Sequence, residues 1–579
     1  MLKVVGANEW KTRIGSYILL STCLFSVLLL VFATMERQEK SGTYCSTVFW
    51  SPKAGFHIEF WGQRHDIENI SKGVARACYK HSIMENGWSF LEIETQAGYP
   101  DRIQAFAAGM LEGAMTWKPI YDHWSNTIES DCEKDDESHK FCAWAKEILN
   151  ENYDNIKQEA EIKNRDSHYW YQIWLFYYQM SGLEHGWQIG VRQAREDLEI
   201  PEEDFHLLNA ISDWRDLKDY YRKFIDPAYT GGNNPKTGAI LVKYINSNDS
   251  KIIIGHSTDG PYSSMLRMHK HYYFRYHLSA NPKSNLIPGK NISFTGYPGT
   301  LYSADDFYIV TSKSSNFVIG GIRMEQENKT VWEEVVLDDS TILGARVMAA
   351  NRLAQNGRSW CKYMSHRSAT GVKQWVLVDT HHLYKNLTDE NEILEEENSL
   401  NSGSIWVADQ VPGKLHFKDV TSELQKNGFW FSTGAPFIEE TINISNTNLS
   451  SHSEKQKFVE LNQQNITELK ELAALFNRLG YRGDMDDTSP RLFGNIDMKL
   501  YAETSSGQIE ILSNAGPIQK IENFYPPQAL RQRHDIFSDD IPVIKNQFSW
   551  SNTEMEMQHE GQPEKFNFEF VSPKWAWTQ

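Results

Sequence analysis

The hydrophobic period of this chain changes twice, and that constrains its fold more than any other feature. From about residue 50 to 100, alternation in runs such as HIEFW and SFLEIET predicts strands. From Arg102 to about Asp226, the runs IQAFAAGMLEGAM, CAWAKEILNENY, WYQIWLFYYQMSGL and FHLLNAISDWRDLKDYYRKF space their apolar residues by three and four, which predicts helices. The stretch DPAYTGGNNPKTG, residues 226–238, is rich in Gly, Asn and Pro and must be a loop; it divides the chain. Beyond it AILVKYI, KIIIGH, FYIVTS, NFVIGGI, KQWVLVD and IWVADQV predict strands again, with SMLRMHKHYYF among a few interrupting helices. DENEILEEENS and NISNTNLSSHSEKQ read as solvated surface insertions. The class expected is α+β, divided into a targeting segment over 1–40, a strand-then-helix part over 41–236 and a sheet core over 237–579.

What precedes the first strand sets the compartment. Ile14 to Met35 holds no charged residue and follows Lys3, Lys11 and Arg13. Twenty-two uncharged residues are enough to span a bilayer core of about 30 Å, and the basic flank favours a cytoplasmic N-terminus. A signal anchor and a cleaved signal peptide both fit, since Val31-Phe32-Ala33 places small or branched residues where signal peptidase reads; residues 36–50 are then a juxtamembrane stretch. Glycosylation sequons at Asn69, Asn248, Asn291, Asn328, Asn386, Asn443, Asn448 and Asn465 agree with a secreted, lysosomal or cell-surface glycoprotein. In an oxidising lumen Cys132 and Cys142 form a natural disulfide across a short acidic loop, which leaves Cys45, Cys78 and Cys361 as an odd set. With 58 basic against 76 acidic residues the net charge is −18, and no basic run exceeds two residues, which argues against a nucleic-acid partner. No CxxC pair occurs, so no metal or cofactor is expected.

Three local patterns bear on chemistry. KIIIGHSTDG resembles a nucleophile elbow, but the second glycine falls one position late for an α/β-hydrolase. His269, His271 and His277, placed on a basic helix, lack the i, i+4 spacing and the nearby carboxylate of a metal site. More informative is a flexible loop running into a strand at NNPKTGAILVKYI. An N-terminal-nucleophile hydrolase needs a hydroxyl or thiol there, because chain cleavage just before it frees an α-amine able to serve as its base. Thr237 is the candidate; alternatively it is a turn residue entering a strand.

Over its length the chain resembles the phospholipase B-like family of lysosomal glycoproteins, within it the insect lamina ancestor branch. The resemblance rests on Gly87-Trp88 with Leu91-Glu92-Ile93, AAGMLEGAMT from Ala107 to Thr116, Gln179 with Gly182-Leu183, and YPGTLYSADDFY from Tyr297 to Tyr308. It continues through Asn351-Arg352 with Ala354, Gly357 and Trp360, Gln374-Trp375 with Asp379, Gln410-Val411-Pro412-Gly413 with Asp419-Val420-Thr421, and Phe548-x-Trp550. It implies the four-layer αββα sandwich of N-terminal-nucleophile hydrolases with a helical insertion, a lysosomal destination, a homodimer, a lipid or acyl-amide substrate, and the Cys132–Cys142 disulfide.

The departures bear on activity. The family opens the strand equivalent to GAILVK with an autoproteolytic cysteine, followed by a His-x-Thr-Trp turn and Met-Leu-Arg. This chain keeps His256, Thr258 and Met265-Leu266-Arg267, but has no cysteine between Cys142 and Cys361. Thr237 is the nucleophile that remains in the slot from Lys236 to Ala239. Asp259 stands where the family has the Trp of the turn, and SHRSATGVKQW replaces NSGTYNNQW, so that only Gln374 keeps an amide there. Two readings follow. In one, Thr237 is the nucleophile of a luminal hydrolase, His256 orients or polarises the acyl group, and Asp259, Arg267 and Gln374 contact substrate. In the other, the fold is kept as a binding or signalling glycoprotein without catalysis.

Overall fold

The computed structural model describes residues 42–577 apart from 64–66, 232–237, 314, 325, 327, 334, 338, 368–369, 385–402, 446–449, 480–492, 518–547 and 553–556. The apolar segment from Ile14 to Met35 therefore lies outside the described residues, as do Thr237, Asn386 and Asn448. Among the described residues no helix is long and apolar enough to cross a membrane.

Two sheets organise the chain. The larger has eleven strands: β1 Thr43–Ser51, β2 Gly55–Gln63, β3 Ala75–Lys80, β4 Trp88–Thr95, β7 Arg267–Tyr273, β8 Asn291–Gly296, β9 Phe307–Thr311, β10 Asn316–Arg323, β11 Lys373–Asp379, β12 Ile405–Val411 and β13 Lys414–Asp419. Their spatial order is β13-β12-β11-β10-β9-β8-β7-β4-β3-β1-β2. The smaller sheet, ordered β14-β5-β6-β15-β16, uses β5 Ala239–Ile245, β6 Lys251–Pro261, β14 Phe429–Ser432, β15 Phe493–Thr504 and β16 Ile509–Ala515. Strands from both sides of the 226–238 loop share the large sheet, joined where β4 runs parallel to β7 from Trp88↔Arg267 to Glu94↔Tyr273.

Alternation along the strands assigns the cores. Ile240, Val242, Ile252, Ile254 and Tyr501 of the small sheet share one apolar cluster with Val318, Ile322, Val376, Val378 and Val407 of the large one. The intervening residues face the other way. Leu241, Ile253, Met498 and Leu500 pack with Leu472 and Phe476 of a helix over Leu469–Leu479, while Phe317, Ile319, Trp375 and Leu377 join the cluster that holds the main helices. That period-two division is what buried strands with two covered faces require.

The helical block contains α1 Asp101–Met115, α2 Asp136–Lys163, α3 His168–Ala194 and α4 Trp214–Phe224, and α5 Leu343–Leu353 follows much later. Helices α1 and α3 interlock through glycines. A Cβ added at Gly109 or Gly113 would overlap the carbonyl oxygen of Gln179 or Leu183, and one at Gly182 or Gly186 would overlap that of Phe106 or Met110. Backbone against backbone at this range is open only to glycine.

Two expectations are corrected. Thr43–Ser51 is strand β1, so the juxtamembrane stretch assigned to 36–50 ends earlier than its pattern suggested. The segment from Ser264 to Phe274 is not a helix: Arg267–Tyr273 is β7, a central strand buried along nearly its whole length between β4 and β8. Buried on both faces, it has lost the alternation that marks half-exposed strands, and its aromatic residues suit the pleated surface.

Two disulfides close the N-terminal half. Cys132–Cys142 forms as the acidic loop suggested, with Cα atoms 5.6 Å apart. Cys45 and Cys78 sit directly opposite each other on β1 and β3 and are bonded, so among the described residues Cys361, buried, is the unpaired cysteine.

Candidate functional site

The described chain resumes after the loop at Gly238, whose φ of 68° places it in the left-handed region. A side chain there would overlap the carbonyl oxygen of Ser257, so glycine is required both by conformation and by space. Ala239 then opens β5, its N–H donating to Ser257 Oγ at 3.1 Å, and the register sets Ala239 opposite Ser257 and Ile240 opposite His256. The start of β5 thus lies beside the middle of β6.

Successive side chains of β6 and β15 build what lies there. His256 shares the inter-sheet face with Ile252 and Ile254, and it is 1 % exposed. Its Nε2 lies 2.8 Å from the carbonyl oxygen of Gly321 on β10, an arrangement that requires the proton on Nε2. Nδ1 is then an acceptor, and it is buried without a hydrogen-bond partner among the described residues. Burial, reinforced by the Lys499 ammonium, lowers the imidazole pKa to about 3, so His256 is neutral through the mildly acidic range. Lys499, the cross-strand partner of His256, donates to Thr258 Oγ1 at 2.6 Å, to Asp497 Oδ1 at 2.5 Å and to Asp305 Oδ2 at 3.3 Å.

Arg267 closes this cluster. Its guanidinium pairs with both Asp305 and Asp497, and all three side chains are sealed from solvent. It lies 5.1 Å from the Trp88 ring centroid and 4.5 Å from that of Tyr297, which adds cation–π contact on a desolvated cation. Burial opposes ionisation of Asp305, yet Arg267 and Lys499 together hold its carboxyl well below the ordinary range. Two cations and two anions balance in a space where an unpaired charge would be costly. Thr295 Oγ1 donates to Asp305 at 2.9 Å, and the β6–β15 register slips between Asn495 and Asp497, a bulge of the kind found beside functional sites.

The sequence candidates therefore divide. His256, Thr258 and Arg267 are brought together; Lys499, Asp497 and Asp305 join them without having been singled out. Their signal was available in NIDMKLYAET, where Asp497 and Lys499 alternate with apolar Met498 and Leu500 on a strand too apolar to be a surface edge. Asp259 is half-buried on β6, opposite Asn495 next to the bulge. Gln374 faces the inter-sheet space, because its cross-strand partner Ile322 does, but its amide is committed: Nε2 donates to Asp409 Oδ1 at 2.7 Å and to the Ala435 carbonyl at 2.9 Å. The elbow-like sequence makes no elbow, since β6 continues through Ser257 to Pro261. The three histidines of the former helix disperse, His269 to Ser513 Oγ, His271 to Ser293 Oγ and His277 to Asp101.

The profile of the family described as phospholipase B matches residues 75–573. A phospholipase B-like lamina ancestor protein of Drosophila melanogaster is 37% identical over the full length of both chains. Phospholipase B-like 2 of Homo sapiens is 32% identical over 64% of this chain and 60% of its own. Phospholipase B-like protein C of Dictyostelium discoideum is 25% identical over 87% of this chain and 88% of its own.

Proposed function

The chain belongs to the phospholipase B-like family, and on that premise we propose that it is a luminal hydrolase of acyl ester or amide bonds in lipids, with Thr237 as an N-terminal nucleophile. The observation that carries this is the start of β5: Gly238, in the left-handed region, is followed by Ala239 paired with Ser257, the neighbour of the buried, neutral His256. The two sheets with helices on their outer faces support an αββα arrangement of the N-terminal-nucleophile type. Sequons and two disulfides support a secretory or lysosomal lumen.

Hydrolysis of the Lys236–Thr237 peptide bond frees an amine with an unperturbed pKa of about 7.7–8.0. That amine takes the Thr237 Oγ1 proton as the oxygen attacks the acyl carbonyl; the leaving alcohol or amine collects the proton, and water releases the acyl group from the threonine ester. His256 spends its N–H on Gly321, so its contribution is the Nδ1 lone pair, which orients an N–H or O–H donor and does not polarise a carbonyl. The buried Lys499–Asp497–Arg267–Asp305 cluster ties β15 of the small sheet to β7 of the large one.

The test is the state of the chain. Purified luminal protein should separate on denaturing gels into two fragments, the larger of about 340 residues beginning at Thr237, and Thr237→Ala should abolish both cleavage and acyl release. The second reading, a binding glycoprotein without catalysis, is favoured by the missing cysteine between Cys142 and Cys361. It predicts an intact chain after acidification, indifferent to Thr237→Ala.

A further inference from the structure

A groove of about 190 Å³ runs between α2 and α3. Its two walls differ in character. The α2 wall carries Lys157 and Glu161, one helical turn apart and both exposed; the α3 wall carries Trp174 and Tyr178, also one turn apart and both half-buried. Trp174 and Tyr178 meet edge to face with ring centroids 4.7 Å apart, so the wall offers an aromatic face and an aromatic edge. The Trp174 indole N–H donates to Glu161, which anchors that carboxylate at the aromatic end of the groove. At the other end, Lys157 Nζ is held 3.0 Å from Tyr153 Oη and lies 4.8 Å from that ring. The two charges are thus each fixed by an aromatic residue, with opposite signs at opposite ends.

We infer that this groove is a binding site for the zwitterionic phosphocholine headgroup, the quaternary ammonium against Trp174, Tyr178 and Glu161 and the phosphate against Lys157. The chemistry selects that ligand on three grounds. A quaternary ammonium is attracted to an aromatic face, best of all an indole, and cannot compete for hydrogen bonds it does not make. The four-residue step from Lys157 to Glu161, about 6 Å of axial rise, is one that the ethylene bridge between phosphate and ammonium spans. The volume is below the range of about 300–1,000 Å³ usual for sites that engulf a drug-sized ligand, and so suits a headgroup whose acyl chains stay outside. The inference rests on the reading of this protein as a lipid hydrolase only for its biological sense; the site lies among helices that cover the opposite face of the large sheet from β5 and β6, so a lipid held there is not the molecule whose acyl bond is cleaved.

Binding can be measured without catalysis. The intact luminal protein is titrated calorimetrically with phosphocholine, and separately with choline, phosphoethanolamine and inorganic phosphate. Phosphocholine is expected to bind in the millimolar range typical of so small a polar ligand, more tightly than any of the other three. Glu161→Gln should weaken phosphocholine and choline alike by about three- to five-fold, whereas Lys157→Gln should weaken phosphocholine and leave choline unchanged. Both side chains are exposed, so neither substitution threatens the fold. Phosphocholine bound no better than phosphoethanolamine, affinity indifferent to both substitutions, or no binding at all would overturn the assignment. Thr237→Ala should bind phosphocholine normally; its loss of acyl release or lack of effect reports on the hydrolase reading alone.

Discussion

Gly182 is a helix-interior glycine where two elementary arguments give opposite signs. By intrinsic propensity, Gly182→Ala in the middle of α3 should stabilise the protein by about 1 kcal/mol. The interlock with α1 says otherwise. The new Cβ would overlap the Phe106 carbonyl oxygen and lie 2.9 Å from its carbon and 3.0 Å from its Cα, all backbone atoms that no rotamer change can move. The helices must therefore part, and because Gly109, Gly113 and Gly186 hold the same seam, separation at one point strains the others. Overpacking typically costs about 1–3 kcal/mol; a clash met by rigid backbone belongs at the upper end, which leaves a net loss of about 2 kcal/mol after the propensity gain. Gly98→Ala is the control, since a Cβ there would meet nothing within 4 Å. Thermal and urea unfolding of the two variants at neutral pH decide the matter. Gly182→Ala should lower Tm by a few degrees while Gly98→Ala changes it little; a Gly182→Ala protein as stable as the parent or more so would show that the seam yields and that the interlock argument is wrong.

Three further expectations follow from the described geometry. Because the His256 pKa is lowered to about 3 while an unfolded histidine titrates near 6.5, the unfolded state binds the extra proton between those values, so this residue's contribution is complete above pH 6.5 and shrinks as the pH falls. His256→Gln should therefore reduce the pH slope of the unfolding free energy between pH 6 and 4.5 by about 1.4 kcal/mol per pH unit, and an unchanged slope would refute the assigned neutrality. Replacing both Cys45 and Cys78 by Ser, which opens a loop of sequence separation 33, should cost about 4 kcal/mol in the chain-entropy account against about 3 kcal/mol for the shorter Cys132–Cys142 loop, as read from urea midpoints. Site-resolved glycan mapping should find Asn69, Asn248, Asn443 and Asn465 occupied, since each is exposed, and Asn291 bare, since it lies in β8 with a buried Oδ1; a full glycan at Asn291 would contradict its placement.

The strands β5, β11 and β12 were legible to the residue because β-branched and aromatic runs ended at turn-forming neighbours. β7 was not, because Met265, Leu266, Met268 and Tyr272 satisfy a helical spacing as well as a doubly covered strand does, and only its neighbours β4 and β8 decide between them. The Cys45–Cys78 bond was equally hidden, as it depends on the register of β1 against β3. At the candidate site His256 and Arg267 stood out, yet their surroundings did not. The ion cluster joins Arg267 to Asp497 across 230 positions of sequence, a pairing no local pattern announces. Gln374 shows the converse: a side chain can sit on the expected face and still have its amide committed to Asp409 and Ala435.

The parallel seam between β4 and β7 governs what a break in the 226–238 loop would do. The four N-terminal strands and the helical block lie before that loop and the rest of both sheets after it, so a cut there severs the covalent path but leaves seven residues of β4 laddered to seven of β7. The two pieces are sewn together again at the far end, where Asn126 bonds the backbone of Glu560 and Glu92 accepts from the N–H groups of Ala576 and Trp577. A nicked molecule is accordingly one particle with two polypeptides, the same in mass and size as the uncut one. Chromatography under native conditions would be blind to the cut, and only denaturation would reveal it.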